Sequence, residues 1–394
     1  MQKLARLAFF HDSKFKRTSK DEYYTSGSLT SELLAKRYLF LADKLTVVAR
    51  QERVSSRDAS KLVSSDYKDI DFSCLDSLNP VSLLFGSGRR IIRQSVSEAS
   101  FSVIRLPSII GLIAFLEARR QKKSFLVEMV ACPFDSLWNY GKLRYKLAAI
   151  ILFYANRFAV LKTPYVVYVT DSFLQKRYPT KGISVSCSDV VINNSDEGIL
   201  NSRLNRIKSQ QLNRKIIIGT IANVGVKYKG HQYVIEAVSK LIDKGYDIEY
   251  QMVGGGDQKF LMQIAKQNGV EDHVVFLGVM DRHEILNWLD NVDYYAQLSL
   301  QEGLPRALIE AMSRGCLCVG SRVGGIPELL RDNFIVPKKN SDGLVTIIDS
   351  KKDDLDTILN EAVYNINRST DFNENVLDEK RNRFYDSILK LEIE

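Results

Sequence analysis

The sequence predicts an α/β chain of two domains, each a parallel β-sheet covered by helices on both faces. Three observations carry this. The second half alternates short β-branched runs with segments of helical periodicity. A chain of 394 residues at 45% hydrophobic content is large enough for two cores. A polar, basic stretch separates two halves of similar outline.

In the first half, apolar runs predict strands at 4–10, 45–48, 82–85, 101–106, 125–130 and 166–169. Helical periodicity predicts helices over 29–41, 88–99 and 109–119. Residues 193–197 and 202–214 are polar and basic and bury little, which places the domain junction near residue 205. The second half opens with the strand 216–219, then a helix over 232–244 carried by Val234, Ile235, Val238, Leu241 and Ile242. Strands at 248–253, 274–278, 293–298 and 317–320 alternate with helices over 258–267, 281–289 and 302–314. Gly324-Gly325-Ile326-Pro327-Glu328 opens a further helix. The expected domains are 1–205 and 206–375, with a charged amphipathic helix from 376 to 394 packing elsewhere, in one arrangement on the first domain.

No apolar run reaches the roughly 20 residues a membrane span needs, and the first residues do not read as a secretory signal. The expected location is the cytoplasm. Five scattered cysteines argue against a disulfide framework, and four dispersed histidines against structural zinc. The formal charge of +8 suits nucleic acid, an anionic membrane face or phosphorylated ligands. Basic clusters, including Arg89 and Arg90, gather in the N-terminal half.

The most informative segment runs from Ser299 to Met312. Glu302 falls on a loop before a helix start at which Pro305 needs no N–H donor, and Glu310 lies within the helix. Helix N-termini suit phosphates. Ligands of open α/β sheets bind beyond the carboxyl ends of strands, where the loop 223–230 brings Gly225, Lys227 and Lys229 as a candidate diphosphate cradle. Carboxylates beside a phosphate site need hydroxyls to bind, and a nucleotide-diphosphate sugar carries both. A pair of glycosidase acids is the competing reading, but it leaves the lysine loop without a task. Gly254 stands in a Gly-Gly-Gly-Asp turn whose backbone closely approaches the ligand; its spacing does not fit a dinucleotide fingerprint.

From Glu302 to Glu328, together with the loop ending at Lys229-Gly230, the chain resembles the donor half of family 4-type retaining glycosyltransferases. The resemblance spans roughly residues 215 to 366. It implies a GT-B architecture, two Rossmann-like domains facing a central cleft, and transfer from a nucleotide sugar with retention and without a metal. It also implies that Glu310 holds the ribose hydroxyls, that Glu302 with the Gly303 and Leu304 backbone meets the sugar and phosphate, that Lys229 binds the diphosphate, and that Val279-Met280 meets the base. In this mechanism the leaving phosphate itself takes the acceptor proton. The chain departs from the family pattern at Asn223, where members usually place an arginine; Lys227 is a candidate substitute, without arginine's bidentate fork.

The first domain carries the acceptor candidates. Asp135, after the strand 125–130, is a candidate for orienting a substrate, and an aspartate there equally suits a helix cap. His11, after the first strand, is a second catalytic candidate. Gly27 and Ser28 resemble the small-residue loop lining the cleft in such enzymes, and Gly86-Ser87-Gly88 is a second such loop ahead of Arg89 and Arg90. The basic half suits a glycan or lipid-linked acceptor at an anionic membrane face, with surface-polysaccharide assembly as the setting by analogy. No cofactor is implied. Related sugar-nucleotide epimerases and phosphorylases are the enzymatic alternatives. A nucleic-acid-binding module would explain the charge but not the glutamates.

Overall fold

Runs rich in Val, Ile, Phe and Tyr build two parallel sheets whose buried strands supply the cores. The structure, a computed structural model, describes residues 3–27, 29–138, 142–192, 198–209, 215–351 and 354–393. The chain divides into two compact units, Met1–Asp189 with Asp378–Glu394, and Val190–Leu377. The boundary therefore falls at 189/190 rather than near 205.

The difference has a physical cause. The segment read as polar linker holds a helix, Gly198–Ser209. Its Arg203 is buried and donates from Nε to Arg314 O (2.7 Å), from Nη1 to Val292 O (2.9 Å) and from Nη2 to Leu289 O (2.7 Å). One guanidinium thus satisfies carbonyls where two helices end, and a basic residue does the work of packing.

The first unit holds strands β1 (Leu4–Arg17), β2 (Tyr23–Thr25), β3 (Ala42–Arg53), β4 (Val63–Ser64), β5 (Ile70–Phe72), β6 (Phe101–Leu106), β7 (Phe125–Met129), β8 (Tyr165–Tyr168) and β9 (Ile183–Ser186). Its parallel part runs β5-β3-β1-β6-β7-β8-β9, and β2 pairs antiparallel with the end of β1. Phe10, Ile104 and Val127 lie in one core with Ile110 and Ala114 of the helix Ile109–Arg120. Asp12 caps that helix, accepting from Ile109 N (2.8 Å), Ile110 N (3.0 Å) and Ser108 Oγ (3.0 Å).

Two expectations in this unit are corrected. Residues 82–85, read as a strand, belong largely to the helix Pro80–Leu84, which begins with Asn79 as cap and proline at its first position. Ser87 and Gly88 are the first turn of the helix Ser87–Glu98, not a loop. A buried network ties the unit's far end: Arg105 pairs with Glu128 (2.9 Å) and Asp189, Arg37 with Asp189 (2.7 Å), and Tyr38 donates to Glu128 (2.9 Å). The C-terminal part of the helix Glu374–Ile393 joins it, with Lys36 on Asp378 at 2.6 Å and Tyr165 donating to Glu392 at 3.0 Å.

The second unit holds β10 (Ile216–Ile221), β11 (Ile248–Val253), β12 (Val274–Gly278), β13 (Tyr294–Gln297), β14 (Leu317–Ser321) and β15 (Ile335–Val336). All neighbours are parallel, in the order β12-β11-β10-β13-β14-β15. One core lies around Ile218, Val238 and Met252, and a second around Leu308, Cys318 and Ile326. The sheet order reverses between β10 and β13, and that topological switch point is where a crevice opens beyond the strand ends.

Candidate active site

Two loops leave the sheet side by side at this switch point. After β10 the chain makes a 3₁₀ turn over Lys227–Lys229, passes through left-handed Gly230 (φ 82°) and enters the helix His231–Asp243. A Cβ on Gly230 would sit 1.9 Å from Leu298 O, so only glycine lets this turn lie against the β13 loop. Leu300 N donates to Tyr228 O (2.7 Å), fixing the two loops together.

Glu302 is held from behind. Its Oε1 accepts from Lys229 Nζ (2.8 Å), Ser299 Oγ (2.8 Å) and Gln297 Nε2 (3.1 Å). Tyr295 Oη donates to Gln297 Oε1 (3.0 Å), which sets the amide orientation. Gln297 and Ser299 are buried, so the carboxylate stands on a polar post inside the sheet end. Among the described residues no donor is paired with Oε2. The Glu302–Gly303 backbone is clamped in turn: Gly325 N donates to Gly303 O (2.7 Å), and a Cβ on Gly324 (φ 56°) would lie 2.1 Å from Glu302 O.

The helix starts later than the spacing predicts, at Arg306–Ser313 with Pro305 as its cap. Leu304 packs against the core beneath it. Glu310 lies one turn in. Burial raises its pKa, opposed by Arg306 and Arg282, and among the described residues no donor is paired with its carboxylate. A half-buried acid of this kind is costly unless something polar binds it.

The glycine-rich loops pack on each other. Gly225 N donates to Asn223 Oδ1 (2.9 Å), so the asparagine closes its own turn. Gly254 (φ 146°) brings its backbone against Ala222 O, where a Cβ would stand at 2.1 Å. Its close approach is therefore to the neighbouring loop. The Lys227 ammonium lies 4.2 Å from the Phe260 ring centroid, whereas that of Lys229 is paired with Glu302. Gly254 N donates to Gly278 O (2.7 Å), which attaches the Val279-Met280 turn to this edge, and Val279 is 81% exposed. Behind Lys229, His231 is buried and contacts Tyr250 Oη (2.7 Å), which donates to Thr220 Oγ1, which donates to Ala296 O. This chain requires a proton on Nδ1. Burial, with Lys229 nearby, pushes His231 down to about 4.

The candidates of the first unit do not form one cluster of mutual contacts. His11 lies inside the long β1, at a register break between Phe10 and Lys14, rather than after a strand. Its Nδ1 accepts from Ser13 N (3.2 Å) and lies 2.6 Å from Ser13 Oγ; burial and Arg105 push its pKa down to about 3. This is a neutral hydrogen-bonding group and not a base poised near neutrality. Asp135 pairs with Arg177 Nη1 (2.9 Å), which also reaches Cys132 Sγ (3.0 Å). Arg89 pairs with the buried Glu117 (2.7 Å). Arg90 lines a cavity of about 460 Å³ with Arg93, Arg120 and Glu98. Gly27 N donates to Thr25 Oγ1 (3.0 Å), and Ser28 lies outside the described residues.

Sequence reasoning missed Gln297, Ser299 and Arg203. A glutamine ending a buried strand, followed two residues later by serine, was the available signal for the first two.

Comparison with known proteins agrees with this architecture. The family model described as glycosyl transferases group 1 matches residues 202–368. Protein CapJ of Staphylococcus aureus is 31% identical over 352 residues, covering 87% of this chain and 85% of CapJ. The amylovoran biosynthesis glycosyltransferase AmsK of Erwinia amylovora is 31% identical over 185 residues, 44% of this chain and 45% of AmsK. Among solved structures, Anabaena HepE in complex with UDP superposes with a TM-score of 0.66 at 14% identity, over 98% of this chain and 100% of HepE, a likeness of fold alone. With CapJ aligned across most of both chains and the family model lying over the domain that carries Lys229, Glu302 and Glu310, the chain belongs to the group 1 glycosyltransferases.

Proposed function

We propose that the chain moves a sugar from a nucleotide-diphosphate sugar to a hydroxyl of a glycan or lipid-linked acceptor, with retention at the anomeric carbon. One observation carries the reading. Lys229 and Glu302, from loops 73 residues apart, meet at the switch point of the sheet, so one cation and one acid stand where a diphosphate sugar would need them.

In this reading the acceptor oxygen bonds to the anomeric carbon as the bond to the diphosphate breaks, and the acceptor proton passes to the leaving phosphate. Lys229 and the free N–H groups opening Arg306–Ser313 stabilise the charge that develops there. Glu302, pinned through Oε1, presents Oε2 to the donor sugar hydroxyls, with the Gly303 and Leu304 backbone beside it. Glu310 accepts from the ribose hydroxyls, which also explains a half-buried carboxylate without an internal partner. The Val279-Met280 turn meets the base. Gly225 and Gly254 shape the loops behind it.

No metal enters the scheme, because a lysine and a helix start already supply positive potential. Proton delivery to the phosphate removes the need for a protein base, in keeping with a His11 held neutral. Arg89, Arg90, Gly27 and Asp135 are assigned to the acceptor side. The setting in this reading is surface-polysaccharide assembly at the cytoplasmic membrane face; its polysaccharide part is supported by the likeness to AmsK, an amylovoran biosynthesis glycosyltransferase.

The UDP held by HepE makes uridine diphosphate the first ligand to try. Calorimetry against nucleoside diphosphates, followed by transfer from the matching nucleotide sugar, tests the proposal. Failure of every nucleoside diphosphate to bind would sink it.

A further inference from the structure

We infer that the outward face of the helix Leu143–Leu161, with Trp138 and Leu116 beside it, docks on an anionic lipid bilayer. The inference rests on the first unit alone and does not depend on the donor-site reading.

The helix is inverted relative to an ordinary surface helix. Its fully buried positions are Ala149, Asn156, Ala159 and Val160. Its outward positions are Leu143, Leu147, Ile150, Ile151, Tyr154 and Phe158, with Leu143, Ile151 and Tyr154 exposed by 72, 67 and 64%. At about 100° per residue these six fall within about 100° of arc, opposite the buried set. Six large apolar groups thus face away from the core, while Phe153 packs toward it and the fully buried positions carry no side chain larger than valine or asparagine. A soluble surface seldom tolerates a continuous apolar stripe of this kind without a use for it.

Charge identifies the occupant. The helix contains no Asp or Glu. Arg144 falls at one edge of the apolar arc, and Lys146 and Arg157 at the other. Lys146 Nζ lies 5.2 Å from the Trp138 ring centroid, and Arg144 lies 4.8 Å from that of Tyr145. Aromatic rings beside basic groups are the chemistry of the headgroup boundary. The neighbouring helix Ile109–Arg120 extends the surface with exposed Leu116, and its Arg119 stands over the rings of Phe115 and Phe158. An apolar stripe with basic edges fits anionic lipid on both counts. A second copy of the same face would set Arg144 and Lys146 against like charges. Among the described residues no helix is long and apolar enough to cross a membrane, so the contact lies in the interface plane.

The test is sedimentation of the full chain with vesicles of pure phosphatidylglycerol and of pure phosphatidylcholine. Binding is expected to phosphatidylglycerol, weakening as salt rises, with little to phosphatidylcholine. The triple variant Leu147→Ser, Ile151→Ser, Tyr154→Ser should bind at least about tenfold more weakly. Arg144→Glu with Lys146→Glu should lose a factor of about five or more per residue. An unchanged melting transition and an unchanged nucleoside diphosphate response would establish that both variants are folded, and would keep a failure here separate from a failure at the donor site. Absence of wild-type binding to phosphatidylglycerol overturns the inference, as does equal binding by both variants. Light scattering that reveals a dimer dissociated by Ile151→Glu would make the face a contact between copies and overturn it too.

Discussion

Lys229 Nζ lies 2.8 Å from Glu302 Oε1, and the same oxygen accepts from Ser299 and Gln297. The pairing orients the acid and, among the described residues, leaves its second oxygen without a paired donor, while the lysine retains two further N–H donors. Each partner therefore has a separate task that substitution can distinguish.

Lys229→Ala is expected to weaken nucleoside diphosphate binding by about tenfold or more, the value of a hydrogen bond to a charged group. Glu302→Gln keeps the shape and removes the charge, and should lower turnover by about a hundredfold with a smaller effect on diphosphate binding. Calorimetry and steady-state kinetics on the two variants separate these effects. Unchanged diphosphate affinity in Lys229→Ala would remove the lysine from the phosphate site.

Glu310→Gln separates binding from stability. Its carboxyl has a raised pKa because burial disfavours the charge, so neutralising it should leave the unfolding midpoint unchanged or higher. Donor binding should weaken about tenfold through loss of charge-assisted bonds to hydroxyls. A stable variant with normal donor affinity would reassign the residue.

Gly324→Ala tests the clamp. The substitution strains a φ of 56° and drives a Cβ to 2.1 Å from Glu302 O, at a cost of about 1–3 kcal/mol. Urea denaturation should register that loss, and turnover should fall further than stability alone explains, because Glu302 is displaced. Full activity would mean that the Glu302 loop tolerates movement.

Acid should destabilise the fold through two histidines. His11 and His231 stand at about 3 and about 4 in the folded chain, below the 6.5 of an unfolded histidine. Above pH 6.5 both states are neutral and nothing is lost. Between that value and the folded values the unfolded chain binds more protons, so stability falls as pH falls, by at most about 1.4 kcal/mol per unit per residue. Unfolding midpoints at neutral and mildly acid pH should show this slope, reduced in His11→Asn. Identical slopes in the two proteins would refute the assignment for His11.

The sequence was legible where local pattern suffices. Strands β10 to β14 and the helices between them follow from periodicity, since neighbours three or four residues away decide amphipathicity. It misled where that pattern fails. Within the helix Leu143–Leu161 the sequence shows only the apolar run 147–154, too short to span a bilayer, because the helix's exposed face is as apolar as its buried one. The segment around Arg203 looked like linker because its burial depends on carbonyls some 90 to 110 residues away. Residues 82–85 looked like a strand until Asn79-Pro80 is weighed as a helix start.

By itself the sequence determined the chemical types at the site, two acids eight positions apart and a lysine before glycine, because these are fixed by covalent order. Only the tertiary structure decided that Lys229 touches Glu302, that Lys227 faces Phe260 instead, and that Gln297 and Ser299 support the acid from beneath. The physical reason is the sheet. Placing β10 beside β13 is a long-range choice made by burial of two cores, and no spacing along the chain encodes which strand ends will meet.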